Sequence, residues 1–193
     1  MPRTAAESLV VALAVLAVAC DHPGTSDGAA APSSATAEPV AGGSGARAAA
    51  PDFTARDIDG STFRLSDHLG DGHVVLLDFW STYCEPCKAE FPHLRAMYDR
   101  EKARGLLVVG VAMDGPETVA DVPAFVKRFG VDFPVVLDDD SRIASLYNPK
   151  KSMPLSVLID RAGRIAVVRE GYNPGDERLV AADVAGALGE SKP

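Results

Sequence analysis

A continuous apolar, β-branched stretch, Val74 to Phe79, runs into Trp80-Ser81-Thr82-Tyr83-Cys84-Glu85-Pro86-Cys87 and from there into a helical pattern. The run is broken only by Asp78, and it fits a strand buried on both faces of a sheet. From Glu85 to Arg104, Cys87, Phe91, Leu94 and Tyr98 recur at the spacing of one buried helix face, and Gly105 ends the pattern. A strand that feeds two cysteines onto a helix N-terminus constrains both the fold and the chemistry. Unpaired backbone N–H groups and the helix dipole stabilise a thiolate there. Pro86 suits the first turn, where a missing N–H costs nothing. Two intervening residues let the sulfurs close a small disulfide ring. Cys84 precedes the first turn and is expected to be exposed. Cys87 lies on the apolar face and is expected to be buried. That asymmetry suits an attacking thiol and a resolving thiol.

The chain holds three cysteines among 193 residues, too few for a disulfide-dense small domain or a four-cysteine zinc site. The pair could be half of a zinc site, but the second pair is missing and neither Cys nor His follows His93. No metal and no dissociable cofactor is expected; the redox-active group is the Cys84–Cys87 disulfide itself. A purely structural disulfide is the other possibility, and its place between strand and helix argues against it. The formal net charge of −8 leaves nothing basic to neutralise phosphates, so nucleic acid is not an expected partner.

The rest of the chain reads as a mixed α/β domain over residues 51–190. Phe53 to Leu65 has the pattern of a β-hairpin turning at Asp59-Gly60. Leu106 to Met113 is a second buried strand and Val119 to Phe129 a helix. Val131 to Leu137 contains a short strand and Ser141 to Tyr147 a short helix. Leu155 to Asp160 and Ile165 to Glu170 are strands joined through Arg161-Ala162-Gly163, and Asp176 to Leu188 is a closing helix. This order gives a mixed central sheet flanked by helices, with an N-terminal hairpin.

The first fifty residues differ in texture; sixteen of them are Ala. Arg3 precedes an apolar run of twelve residues, Ser8 to Ala19. A membrane-spanning helix needs about twenty such residues and a signal h-region about 7–15. The run ends in Leu16-Ala17-Val18-Ala19-Cys20, which resembles the bacterial lipobox, although Ala17 stands where Leu is usual. Residues 1–19 are therefore expected to be a lipoprotein-type signal peptide, with Cys20 as the lipidation site; an ordinary cleaved signal or a short uncleaved anchor are the alternatives. Residues 20–50, rich in Ala, Gly, Ser and Pro, read as a flexible tether with a span of roughly 30 Å.

The phrase from Asp78 to Leu94, DFWSTYCEPCKAEFPHL, resembles the thioredoxin superfamily, and within it the membrane-tethered, exported thiol–disulfide oxidoreductases of the TlpA/ResA type. A second segment supports the likeness: Met153-Pro154, then the strand from Leu155 and the turn at Gly163. The resemblance implies a thioredoxin-like fold with residues 114–150 as a central insertion, where a particular client would be selected. It implies a cis proline at Pro154 beside the cysteine pair, with Met153 offering backbone groups to an extended substrate. Trp80, Glu85 and Pro86 are expected to complete the substrate-binding surface. Implied clients are disulfide-bearing proteins such as apocytochrome c or metal-centre assembly proteins. The implied partner is a membrane thiol reductant of the CcdA/DsbD type, and the implied location is periplasmic or extracytoplasmic, anchored by the N-terminal lipid.

Two acids complete the expected catalytic set. Asp78 interrupts the apolar strand, at the position of the buried aspartate of thioredoxin. Glu90 follows Cys87 by three residues and shares its helix face; ResA-like proteins have a glutamate at this place. Burial raises a carboxyl's proton affinity and suits it to proton transfer near neutral pH. Either Asp78 or Glu90 could take the proton of Cys87; the alternatives are a hydrogen-bonded structural acid and a solvated helix residue. Glu85, negative and beside Cys84, opposes thiolate formation, which points to a reductant rather than a strong oxidant. Two other functions compete with this reading. A peroxiredoxin-like peroxidase needs proline where Leu77 stands. A copper carrier of the Sco type needs cysteines spaced by three residues and a distant His.

Overall fold

The computed structural model describes residues 47–70 and 72–189. The signal segment 1–19, Cys20 and the tether up to residue 46 lie outside these residues. No helix among the described residues is long and apolar enough to cross a membrane.

The chain opens with a hairpin of β1 (Thr54–Arg56) and β2 (Thr62–Arg64), which forms its own two-stranded sheet. Then follow β3 (Val74–Trp80), α1 (Glu85–Glu101), β4 (Leu106–Ala112), α2 (Val122–Phe129), β5 (Val135–Leu137), α3 (Arg142–Tyr147), β6 (Leu155–Ile159), β7 (Ile165–Glu170) and α4 (Glu177–Ala187). The five later strands form one sheet in the order β5-β4-β3-β6-β7. β4 runs parallel to both β3 and β5, while β6 is antiparallel to β3 and β7. β3 is thus central, and all seven of its residues are buried, as its unbroken apolar run requires.

Alternation along β3 divides the core in two. Val74, Leu76 and Trp80 pack with Phe91, Leu94 and Met97 of α1, Phe125 and Val126 of α2, and Val180 and Val184 of α4. Val75, Leu77 and Phe79 point the other way, against Phe53 and Phe63 of the hairpin and Ile143 and Tyr147 of α3. Asp78 falls on the first face by the same period of two. Residues 114–150 therefore do more than interrupt the fold: they supply the edge strand β5 and one helix to each face. Asp57 anchors the hairpin to that edge, since its carboxylate accepts the Val135 N–H at 3.1 Å.

Several boundaries are tighter than the sequence pattern. Lys102–Arg104 is a 3-10 turn after α1, and Gly105 closes it with a left-handed φ of 99°. Val119–Asp121 is a 3-10 turn before α2. Asp138 caps α3, accepting the N–H groups of Ile143 and Ala144 at 2.8 Å each. Before the hairpin, the Ala50 N–H donates to Gly163 and the Ile165 N–H donates to Ala48, both at 2.9 Å. Residues 48–50, with the composition of a tether, are paired onto the domain.

Candidate redox site

Cys84 is the N-cap of α1, Pro86 occupies its first turn, and Cys84 and Cys87 are joined as a disulfide. The Cys87 N–H points at the Cys84 sulfur at 3.2 Å. A thiolate freed at Cys84 therefore meets the open end of the helix, where backbone donors and the dipole both favour negative charge. The expected asymmetry is present but compressed. Cys84 is 8% exposed and Cys87 1%, so Cys84 is buried where the sequence suggested an open thiol. The disulfide ties it to Cys87, and its own N–H folds back on the Ser81 carbonyl at 3.2 Å.

The surroundings sort the other expected residues. Glu85 and Pro86 are exposed beside the pair. The Glu85 carboxylate is bound to Lys88 at 2.6 Å, so part of its charge beside Cys84 is offset. The Met153–Pro154 bond is cis, Pro154 is buried, and Met153 packs against the core cluster that contains both cysteines. Trp80 requires a correction. It is wholly buried, with ring centroids 4.6 Å from both Phe91 and Phe125, and offers no surface to a substrate. It lies on the inward side of the last residue of a central strand, where a large ring fills the space under two helices. The exposed ring beside the disulfide is Tyr83, 58% accessible.

Both acids lie inside. Asp78 is 1% exposed and Glu90 3%, which removes the solvated reading of Glu90. Asp78 stands opposite Ser156 in the β3–β6 ladder, and its Oδ1 accepts the Ser156 hydroxyl at 3.4 Å. Oδ2 of Asp78 and Oε2 of Glu90 have no hydrogen-bond partner among the described residues. Burial pushes both carboxyls well above the ordinary range; for Glu90 the charges of Asp78 and Asp176 push the same way. A carboxyl of this kind, when ionised, has a proton affinity close to that of a thiol, the property needed to exchange a proton with one.

Two positioning residues were missed. Asp114 is fully buried at the end of β4, and its carboxylate accepts the Thr82 N–H at 3.0 Å, holding the loop ahead of Cys84. Ser156 is the other, as the partner of Asp78. Neither lies in a motif; only strand register brings them to the site.

A family model described as AhpC/TSA matches residues 46–168, which includes the hairpin, the cysteine pair, the cis proline and most of β7. The chain belongs to the AhpC/TSA family. The chain is 36% identical over 122 residues to the thiol-disulfide oxidoreductase ResA of Geobacillus kaustophilus, covering 63% of this chain and 67% of that protein. It is 40% identical over 122 residues to ResA of Bacillus subtilis, covering 63% and 65%. The alignments thus span about two thirds of these relatives. Among solved structures, a thiol:disulfide interchange protein assigned as DsbE, from Chlorobium tepidum, superposes with a TM-score of 0.68 at 35% identity, over 74% of this chain and 97% of that one. This family member is a thioredoxin-fold protein-disulfide oxidoreductase similar to ResA, as the strand–CxxC–helix phrase implied.

Proposed function

We propose that Cys84 attacks a disulfide in an exported client protein and that Cys87 resolves the mixed disulfide. In balanced form, the dithiol gives two electrons and two protons to the client, and the Cys84–Cys87 disulfide remains. The observation that carries this reading is the redox pair at the open end of α1 with an unpartnered buried carboxyl, Glu90, one turn behind it. Glu90, when ionised, takes the proton of Cys87 as that thiol attacks; Asp78, deeper and hydrogen-bonded to Ser156, raises the proton affinity of Glu90. Tyr83, Glu85, Pro86 and the backbone of Met153 form the surface on which an extended client lies.

The reading extends to the cell. The N-terminal run and Cys20 support an exported protein held at a membrane by a lipid, with residues 20–46 as its tether. Apocytochrome c and metal-centre assembly proteins are the client classes that fit a ResA-like reductant. A membrane thiol reductant of the CcdA/DsbD type would return the oxidised pair to the dithiol. Substituting Cys87→Ser in the full-length protein should leave Cys84 covalently joined to its clients. Diagonal electrophoresis and sequencing of the trapped species will identify them, and recovery of no disulfide-linked client would sink the proposal. Hydrogen peroxide consumed by the purified dithiol would favour the peroxidase alternative.

A further inference from the structure

Behind the site, α1 and α4 enclose a cavity of about 170 Å³ lined by Glu90, His93, Met97, Arg100, Glu177 and Val180, among others. A water needs only about 10–15 Å³ of such space, so a short file of waters fits. Glu90 lies in its wall, buried and with Oε2 unpartnered, while His93, one turn along the same helix face, is exposed. We propose that this groove is the route by which the Glu90 carboxyl exchanges its proton with solvent, with His93 at the mouth handing it on. The inference rests on the role given to Glu90 above.

The other charged groups facing the groove are poor carriers. Arg100 and Arg178 stay charged. Glu177 is fixed: its Oε2 accepts the Gly175 N–H at 2.8 Å and the Tyr172 hydroxyl at 3.0 Å. Hydrogen bonds from its own N–H and that of Gly175 hold this carboxyl below the ordinary range, so it carries no proton near neutrality. Burial, and then the bond to Glu177, pushes the Tyr172 phenol up, so it does not release one. Asp176 precedes α4 and acts on Glu90 through its charge. Asp78 lies on the sheet side and Cys87 on the active-site side. Histidine is the side chain that accepts and releases protons in the neutral range. The His93 ring lies 6.3 Å from that of Tyr172, against the α4 side of the opening. When Cys87 attacks the Cys84 sulfur, its proton passes to Glu90 in the minor, ionised form of that carboxyl, whose high proton affinity makes it a base matched to a thiol. The client leaves as a thiolate, and Glu90 later releases the proton through the groove to the His93 imidazole and so to water. His93 touches neither sulfur; it acts through Glu90.

The test is repeated turnover of the full-length protein in the dithiothreitol-driven reduction of oxidised glutathione, with the uncatalysed rate subtracted, across the neutral pH range, for wild type, His93→Gln, Glu90→Gln and the double variant. His93 is exposed, so its replacement leaves the fold intact, checked by the melting transition. His93→Gln should slow the resolving half-reaction about tenfold near neutrality, less than the roughly 10²–10⁴-fold of a direct acid–base group. Added imidazole should restore the rate, and the double variant should be no slower than Glu90→Gln alone. Should His93→Gln match wild type at every pH while Glu90→Gln is slow, the groove route is wrong and the role of Glu90 stands. If Glu90→Gln is also as fast as wild type, both fail.

Discussion

At the scale of single residues, the site is governed by two carboxyls that the fold buries. A carboxyl whose proton affinity rises on folding holds its proton in the native state after the unfolded chain has released it. The unfolded chain then binds fewer protons, so stability falls as pH rises. For Asp78 and Glu90 the decline starts above their ordinary values of 3.8 and 4.5 and continues until the raised native values are passed. Glu90→Gln removes one such group. In denaturant unfolding of the oxidised protein, the variant should lose less stability than wild type between about pH 5 and pH 9, by on the order of 1–3 kcal/mol. An unchanged slope would mean that folding leaves the proton affinity of Glu90 at its ordinary value. Residue identity at the mouth matters as well: Lys88 partly offsets Glu85, so the charge between the cysteines acts less strongly on Cys84 than the sequence implied.

At the scale of elements, the helix that carries the cysteines is held by an aromatic cluster. Trp80 from β3, Phe91 from α1 and Phe125 from α2 have ring centroids 4.6 to 5.2 Å apart. Offset and edge contacts of this kind add about 0.5–1.5 kcal/mol each beyond buried area. Gly110 on β4 makes room for it, because a Cβ there would come within 3.0 Å of Trp80 Nε1. Gly110→Ala should therefore cost about 1–3 kcal/mol, read as a lower melting temperature and altered fluorescence of the single tryptophan. The elements themselves were largely legible. An unbroken apolar run meant a central strand, Asp59-Gly60 a hairpin, and the spacing from Cys87 to Leu94 a buried helix face. Boundaries were less so: the 3-10 turns at Lys102–Arg104 and Val119–Asp121 contain no Gly or Pro to mark a break from their helices, and only hydrogen-bond geometry separates them.

At the scale of the whole molecule, one central strand organises two cores, and the cysteine pair sits where β3 leaves the sheet between them. The segment before the hairpin belongs to this body. A chain beginning at residue 47 should keep the wild-type melting transition. Removal through Ala50 should lower stability by about 1–3 kcal/mol, since the two edge hydrogen bonds to Gly163 and from Ile165 are each worth about 0.5–1.5 kcal/mol. Equal melting of the two chains would show that this edge pairing contributes nothing.

The sequence by itself determined the strand–Cys84–Cys87–helix unit, the order of elements and the burial of Asp78, because each follows from local spacing and chain polarity; it put Glu90 on the face of Cys87, and only the packed structure excluded a solvated side chain there. It placed Trp80 wrongly, at the substrate surface, since adjacency to the motif says nothing of which side of the sheet a strand's last residue faces. Only the tertiary structure joined Asp78 to Ser156 across 78 positions and Thr82 to Asp114 across 32. Only it opened a groove behind Glu90 between helices separated by most of the domain. Those contacts arise from strand register and helix packing, which depend on the whole core closing at once and are not encoded in any short stretch of chain.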